Sequence, residues 1–375
     1  MNSSWWLAEP RKPLLARALD GPPDVVVVGG GMTGCSAALT LARAGRRVRL
    51  HEAREVAGGA SGRNGGFALR GGAQAYDGAR EWLGEDRAVA YWRGTEAALD
   101  RLQSLAGDAL RRGGSLRLAA EEEERDELHR EFDALREDGF AVEWRDEAPA
   151  SLEGRYVAAV FHPPDGLLQP ARFVRRLAAL AAGAGVEIRE YDRVETLEEV
   201  EAETVVVATD GYPSGLLGRL EGLIVPTRGQ MVATEPVPER LFPIPHYGRH
   251  GFDYWHQNDE GRLIVGGFRD VDMSSEFTAQ EETTEPIQHA LEQFASDAVG
   301  RPVQVTHRWA GIFGFVPDLM PVVGRVPGDE RLWVAGGYSG HGNVLGFLCG
   351  ELVGKAILGE GDPLLELMEP ARLLA

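Results

Sequence analysis

Residues 24–52 constrain the fold more than any other stretch of the chain. Asp24 is followed by four valines, Val25 to Val28, the pattern of a strand buried on both faces. Gly29-Gly30-Gly31 comes next, and Met32 to Ala44 is rich in small residues, as in a tightly packed helix, until Gly45 stops it. Arg47 to His51 reads as a second strand ending at Glu52. This β-α-β unit carries Gly29-x-Gly31-x-x-Gly34 at its turn. In a dinucleotide-binding turn the first glycine permits the bend, and the second lets the backbone approach a pyrophosphate. The third lets helix and strand pack closely, while the helix N-terminus offers free N–H groups and a positive dipole end. Glu52 stands where a carboxylate accepts hydrogen bonds from an adenosine ribose. The unit therefore predicts an α/β fold that binds NAD or FAD. A glutamate in place of an arginine argues against the 2′-phosphate of NADP. No second such turn and no redox cysteine pair occur, which argues against a disulfide-reductase type of flavoenzyme.

The rest of the chain extends the α/β pattern. Residues 53–75 are too glycine-rich for regular structure, and long loops in compact domains are usually functional. Helical patterns fill 76–111, residues 114–119 alternate like a strand, and 121–138 form an acidic helix. A helix over 170–183 precedes strands at 186–190 and at Thr204 to Ala208, the latter running into Thr209-Asp210-Gly211. Between 222 and 309 the texture changes to short alternating strands at 228–234, 252–257 and 262–267, with a hairpin at Asn258 to Gly261. Leu332 to Ala335 is again a strand, 336–342 a glycine turn and 343–358 a closing helix. The expected organisation is an arm (1–23) and an α/β domain in three segments (24–112, 151–221, 310–375). A β-rich α+β domain (113–150, 222–309) is inserted between them. A length of 375 residues suits two domains.

Composition excludes several function classes. A formal charge of −19 makes the chain a poor ligand for nucleic acid or anionic membranes. The two cysteines, Cys35 and Cys349, sit in apolar helical stretches and exclude a disulfide framework or an iron–sulfur site. Lys12 and Lys355 are the only lysines, and neither looks placed for Schiff-base chemistry. His246 and His250 have helical metal-ligand spacing, but Pro245, Gly248 and Gly251 break any helix there, so no metal is expected. No apolar run is long enough to span a membrane and no leader is recognisable, so the expected location is the cytoplasm.

Two further glycine motifs separate the remaining cofactors, because an NAD site needs neither: Gly59 to Gly66 (GASGRNGG) and Gly336 to Gly342 (GGYSGHG). With these, the chain resembles the FAD-dependent oxidoreductases related to D-amino-acid oxidase. That family includes glycine and sarcosine oxidases and gamma-glutamylputrescine oxidoreductase. The resemblance rests on DVVVVGGGMTGCSAALTLARAG, GASGRNGGF, VVVATDGY, PTRGQ, GRLIVGG, PDLMPVVG and AGGYSGHGN, in that order, and spans 24–360. It implies FAD with its adenosine on Gly31, Met32, Thr33, Glu52 and Ala53 and its pyrophosphate at the first helix, after Gly29. Ser61, Arg63, Asn64, Gly65 and Gly66 would line the ribityl chain and flavin, and Val194 would contact the adenine. Thr209, Asp210 and Gly211 would close the site, with Gly337, Gly340, His341, Gly342, Asn343 and Val344 against the pyrimidine side of the flavin. The activity it implies is oxidation of a C–N bond in an amine or amino acid by hydride transfer to flavin N5. The resulting imine hydrolyses, and oxygen or another acceptor reoxidises the flavin.

The chain departs from that family in ways that bear on substrate. The lysine that binds substrate carboxylate in sarcosine oxidases is replaced by Val344, and the lysine that promotes reaction with oxygen has Arg269 as its nearest cation. Lys355 lies about 20 Å too far along the helix to substitute. Residues 309–316 hold no cysteine to tether flavin, so the FAD is expected to be non-covalent. Arg70 falls where sarcosine oxidase has a carboxylate-facing arginine, and it reads either as that group or as a solvated loop charge. Tyr254 and His256 share one face of a strand that would roof the flavin or pack a core. His341 reads as a hydrogen-bond donor to reduced flavin or as packing in a glycine turn. The missing lysine leans the reading toward an amine over a free amino acid. The alternatives are an amino-acid or N-methyl amino-acid oxidase using Arg70, an electron-transfer flavoprotein subunit, and a nicotinamide-dependent dehydrogenase.

Overall fold

A computed structural model describes residues 3–15, 17–146, 152 and 154–374. Its first sheet has six strands in the order Val322–Arg325, Leu332–Gly336, Thr204–Val207, Val25–Val28, Val48–Glu52, Glu187–Glu190. All neighbours are parallel except the first pair. The four valines lie at its centre and are buried on both faces, as their unbroken apolar run requires.

Two helices leave the same edge of this sheet and run side by side. The first, Met32–Arg43, follows Val25–Val28, and the closing helix, Val344–Ile357, follows Leu332–Gly336. Their contact face is built from glycines four apart. A Cβ on Gly346 would lie 3.0 Å from Thr33 Oγ1, one on Gly350 2.4 Å from Thr33 O, and one on Gly354 2.9 Å from Thr40 Cγ2. Contacts climb both sequences together, so the helices are parallel and both N-termini, with their unpaired N–H groups, point to one place. Ser36 Oγ also donates to Phe347 O at 2.8 Å.

The second sheet has eight strands, in the order Val305–Phe315, Val225–Pro236, Arg262–Gly267, Asp253–Gln257, His246–Gly248, Ser115–Ala119, Ala158–His162, Glu143–Arg145. A third sheet has three strands, Phe67–Ala68, Gly166–Leu168 and Leu110–Arg112. The hairpin expected at Asn258 to Gly261 joins two antiparallel strands.

Several expected boundaries are corrected. The helical stretch 76–111 is two helices, Tyr76–Leu83 and Glu85–Ala106, broken at Gly84, where φ is +83°. It ends in the strand Leu110–Arg112, which pairs with Gly166–Leu168. Within 222–309 a helix, Glu285–Val299, covers the eight-stranded sheet and buries Ile287, Leu291 and Phe294 in one core with Trp255 and Val265. The boundary drawn at 309/310 cuts the strand Val305–Phe315, which pairs along its length with Val225–Pro236. Ala158–His162, assigned to the α/β segment, belongs to the eight-stranded sheet. The boundary at 150/151 lies outside the described residues. We propose segment edges at 162/163 and 315/316.

Candidate cofactor and substrate site

The dinucleotide turn is built so tightly that two of its glycines admit no side chain. Gly29 has φ +112°, and a Cβ there would meet Ala208 O at 2.5 Å; on Gly34 it would meet Gly29 O at 1.8 Å. Gly31 begins the first helix, and a Cβ would sit 2.8 Å from Ser61 Oγ. Ser61 Oγ accepts from Met32 N at 2.9 Å, so this hydroxyl marks where the helix N-terminus meets an acceptor. Glu52 is fixed by two backbone donors, Gly30 N at 2.6 Å and Arg54 N at 2.8 Å. Burial pushes its carboxyl up, and those two N–H groups offset it only in part.

Val28, Gly29, Gly31, Glu52, Ala53, Ser61, Val194, Thr209 and Asp210 line one cleft along the edge of the first sheet. The donor set suits a dinucleotide: a carboxylate at the second strand, backbone N–H groups at the bend and apolar Val194 opposite. His51, Arg54, Asp192 and Tyr212 line it too and were not foreseen. Arg54 and the Tyr212 hydroxyl are both held by Glu281, with Tyr212 donating at 2.6 Å. Tyr212 stands next to the Thr209-Asp210-Gly211 motif, and its place after the strand is the one signal the sequence holds for it.

Asp210 ties this cleft to the closing helix. Its carboxylate accepts from Gly314 N (3.0 Å) and Gly337 N (2.8 Å), so one side chain joins the eight-stranded sheet to the 336–342 turn. Burial raises its pKa against those donors. Gly211 lies against the strand backbone, where a Cβ would be 2.4 Å from Phe313 C. Across the site the Thr33 and Tyr338 hydroxyls are 2.7 Å apart. Asn64 and Asn343 exchange amide hydrogen bonds at 3.1 and 3.0 Å, and Asn343 Nδ2 also donates to Phe67 O at 2.8 Å. Arg63 donates to Gly58 O and Ala310 O and pairs with Glu281. The loop 61–66 and the head of the closing helix are thus one hydrogen-bonded unit, with Val344 buried at its first helical residue. Gly340 faces open space, and Gly342 packs beneath the Tyr338 ring.

The His341 backbone N–H donates to Tyr338 O at 2.9 Å, while its Nδ1 is buried without a hydrogen-bond partner among the described residues. Burial pushes its pKa down to about 4. The imidazole is therefore neutral between about pH 5 and 8, unlike an ordinary histidine. Flavin reduction is expected to show no pH step from it; an inflection near pH 6.5 that vanishes in His341→Gln would refute this.

The four candidate catalytic residues part company. Arg70 is not a solvated loop charge: it is 6% exposed, pairs with Glu96 at 2.7 Å, and donates to Ala141 O at 2.8 Å. His162 Nδ1 lies 3.2 Å from the same guanidinium. The reading of Arg70 as a solvated loop charge is corrected, because an ungapped count cannot show that the loop turns its side chain toward Glu96; of its guanidinium only the buried Nε is left without a partner among the described residues. Arg70→Met is expected to cost about 2–3 kcal/mol of stability through lost buried hydrogen bonds and to leave substrate KM unchanged. Thermal unfolding and steady-state kinetics check both, and a tenfold rise in KM would restore the ligand role.

Tyr254 and Arg269 do come together. Strand Asp253–Gln257 puts Trp255 in the core and turns Tyr254 and His256 to the other face, where each ring packs against Phe67 (5.9 and 5.8 Å). Gly65 lies under Tyr254, a Cβ there being 3.2 Å from Cδ2. The tyrosine hydroxyl has no hydrogen-bond partner among the described residues, and burial pushes its pKa up to about 12 although Arg269 pulls it down. Arg269 follows Phe268, whose φ is +59°, at a sharp turn closed by Phe268 N donating to Phe252 O. Its guanidinium lies 5.3 Å from the Phe252 ring centroid and 5.4 Å from that of Phe313. Among the described residues its one hydrogen-bond contact is Met273 Sδ at 3.9 Å and no carboxylate pairs with it directly, Glu276 and Asp270 acting only at longer range. Phe252 and Phe313 were missed from sequence because strand aromatics read as core. His246, by contrast, donates to Ile244 O and stacks on Trp255.

Comparison with known proteins accords with this geometry. The family model for FAD dependent oxidoreductases matches residues 24–356. A probable oxidoreductase OrdL from Haemophilus influenzae is 28% identical over 91% of this chain and 84% of its own length. Gamma-glutamylputrescine oxidoreductase from Escherichia coli is 28% identical over 90% of this chain and 84% of that protein. The crystal structure of glycine oxidase from Geobacillus kaustophilus superposes with a TM-score of 0.74 at 25% identity, covering 91% of this chain and 96% of that one. With the dinucleotide turn, the two glycine motifs and the match across 24–356, the chain belongs to the FAD-dependent oxidoreductase family of D-amino-acid oxidase type.

Proposed function

We propose that the protein oxidises the carbon–nitrogen bond of an amine or amino acid bearing an anionic group, with non-covalent FAD. The observation that carries this reading is the unpaired Arg269 guanidinium beside the unpaired Tyr254 hydroxyl, over the loop 61–66. A half-buried cation flanked by two phenyl rings and lacking a carboxylate is costly unless something anionic arrives. A planar guanidinium with a phenol beside it suits a carboxylate. Two of the relatives are named for glycine and gamma-glutamylputrescine, and both compounds combine an amine with a carboxylate.

FAD, when bound, supplies the two-electron oxidation of the substrate C–N bond to an imine, which water hydrolyses. The chain supplies position and environment. Arg269 and Tyr254 would anchor the anionic end, leaving a neutral amine toward the loop 61–66. Phe67, Phe252 and Phe313 would exclude water, which strengthens the ion pair. The parallel helix N-termini at Met32 and Val344 offer fixed positive dipole ends to a cofactor whose negative charge grows on reduction. No acid–base pair is required, since orientation and charge compensation carry the protein's share.

The test is anaerobic titration of the purified yellow protein with amines, polyamines, and D- and L-amino acids, following the visible flavin band. Bleaching by carboxylate-bearing amines at far lower concentration than by simple polyamines is the expected result. Equal bleaching by a polyamine without a carboxylate would overturn the anionic-substrate reading.

A further inference from the structure

Every backbone carbonyl from Gly62 to Gly66 is gripped from outside the loop. Gly62 O accepts from Ser4 Oγ at 2.6 Å, Arg63 O from Trp309 Nε1 at 2.9 Å, and Asn64 O from Trp6 Nε1 at 2.7 Å. Gly65 O accepts from His256 Nε2 at 3.0 Å and Gly66 O from Leu168 N at 2.7 Å. Three of the donors sit on sheet strands of the body, but Ser4 and Trp6 belong to the arm that precedes the first strand. They are 1% and 3% exposed, as buried as core residues.

The arm is itself anchored firmly. Residues Trp5–Ala8 form a short turn of helix, and Trp6 stacks on His256 with ring centroids 5.9 Å apart. Leu7 fills the space beside Gly62, and the Trp6 ring the space beside Gly66, where Cβ atoms would lie 2.7 and 3.2 Å away. Further along, Glu9 takes hydrogen bonds from Gln169 (2.6 Å) and Arg172 (3.0 Å), and Arg175 donates to Glu9 O.

We infer that the N-terminal arm is part of the cofactor-binding machinery, a strap whose Ser4 and Trp6 position the loop 61–66 for FAD. The physical reason is conformational. A glycine-rich loop is entropically expensive to hold in one shape. Turning its carbonyls outward onto fixed donors selects that shape and keeps their negative ends away from the cofactor face. If the binding-competent loop is less populated, the apparent affinity for FAD falls by the same fraction. Trp6 and Ser4 are thus positioning residues that touch neither cofactor nor substrate. The inference rests on assigning the loop 61–66 to FAD.

The experiment is titration of FAD into apoprotein, followed by quenching of flavin fluorescence, with thermal unfolding of each apoprotein alongside. Trp6→Phe keeps a ring on His256 but loses the N–H; Ser4→Ala removes the other arm donor with little change in volume. Each is expected to raise the FAD Kd at least about fivefold, because a buried carbonyl loses its partner in the ordered loop. Leu99→Ala, which opens a cavity under the helix Glu85–Ala106 and removes no donor to the loop, is expected to lower the unfolding temperature and leave Kd unchanged. Gly31→Val tests the dinucleotide turn itself. If Gly31→Val loses FAD while Trp6→Phe and Ser4→Ala bind it within twofold of the parent, the strap is refuted and the turn stands. If Leu99→Ala weakens FAD as much as the arm variants, the effect is general destabilisation and the strap is again refuted. Retention of FAD by Gly31→Val would overturn the turn and the strap together.

Discussion

Gly34→Ala is expected to yield a protein that no longer retains FAD through gel filtration. The added methyl would stand 1.8 Å from Gly29 O, 3.0 Å from Gly29 C and 3.3 Å from Val27 Cγ1. Two of those atoms are backbone of the bend itself, so no side-chain rotation relieves the clash. The first helix must move off the sheet by more than an ångström, carrying Met32 N and Thr33 away from Ser61 and Tyr338. Contacts to a diphosphate fall off over such a distance, and overpacking adds a stability cost of its own. An increase in FAD Kd on the order of 100-fold, about 2.7 kcal/mol, is expected. The same substitution at Gly31 meets only the movable Ser61 Oγ, at 2.8 Å, and is expected to do less. Isothermal titration or fluorescence quenching orders the two. Tight FAD binding by Gly34→Ala, with an unshifted unfolding temperature, would show that the turn is not as closely packed as described.

Arg269→Met is expected to lower kcat/KM for carboxylate-bearing substrates about 100-fold, with FAD binding intact. Removing one partner of a desolvated ion pair typically costs about 2–5 kcal/mol. Methionine fills similar space between Phe252 and Phe313, so the loss should report the charge. The same variant addresses the other role suggested by its sequence position, promotion of reaction with oxygen. Rapid-mixing measurements of anaerobic reduction and of reoxidation separate the two. Slow reduction at a given substrate concentration with unchanged reoxidation supports substrate anchoring. Unchanged reduction with slow reoxidation would move Arg269 to the oxygen step.

The two glycine sites were legible from sequence to different depths. At 24–52 all the information is local: β-branched run, glycine spacing, helix and terminal acid occur within one supersecondary unit, and sterics leave that string few alternatives. The motif at 336–342 is equally short, but its meaning depends on the closing helix lying parallel to the first. Only the small-residue face of Gly346, Gly350 and Gly354 hinted at that. The helix Glu285–Val299 had its own signal, apolar Ile287, Leu291, Phe294 and Ala298 at helical spacing, which the strand texture around it obscured.

Long-range partners account for what was misjudged. Arg70 sits in a glycine-rich loop and looked free, yet residues 26 to 92 positions away, Glu96, Ala141 and His162, take its two terminal nitrogens. Trp6 lies in the arm, and its N–H ends on a carbonyl 58 residues on. Arg269 resembled dozens of other arginines in a chain where nearly every cation is arginine. What marks it is a seat between the Phe252 and Phe313 rings without a carboxylate partner among the described residues, a property that no sequence window contains.

The sequence by itself determined the α/β fold around a dinucleotide turn, because that depends on backbone sterics and on periodicities written within a few dozen residues, and its motifs in order carried the resemblance that implied the family and FAD. Only the tertiary structure decided which charged side chains are consumed and which remain open. It also showed how the arm grips the loop and that two helix N-termini converge. Each of these is a matter of distance between segments remote in the chain, and in a close-packed interior a partner's presence or absence, more than residue type, sets what a buried charge can do.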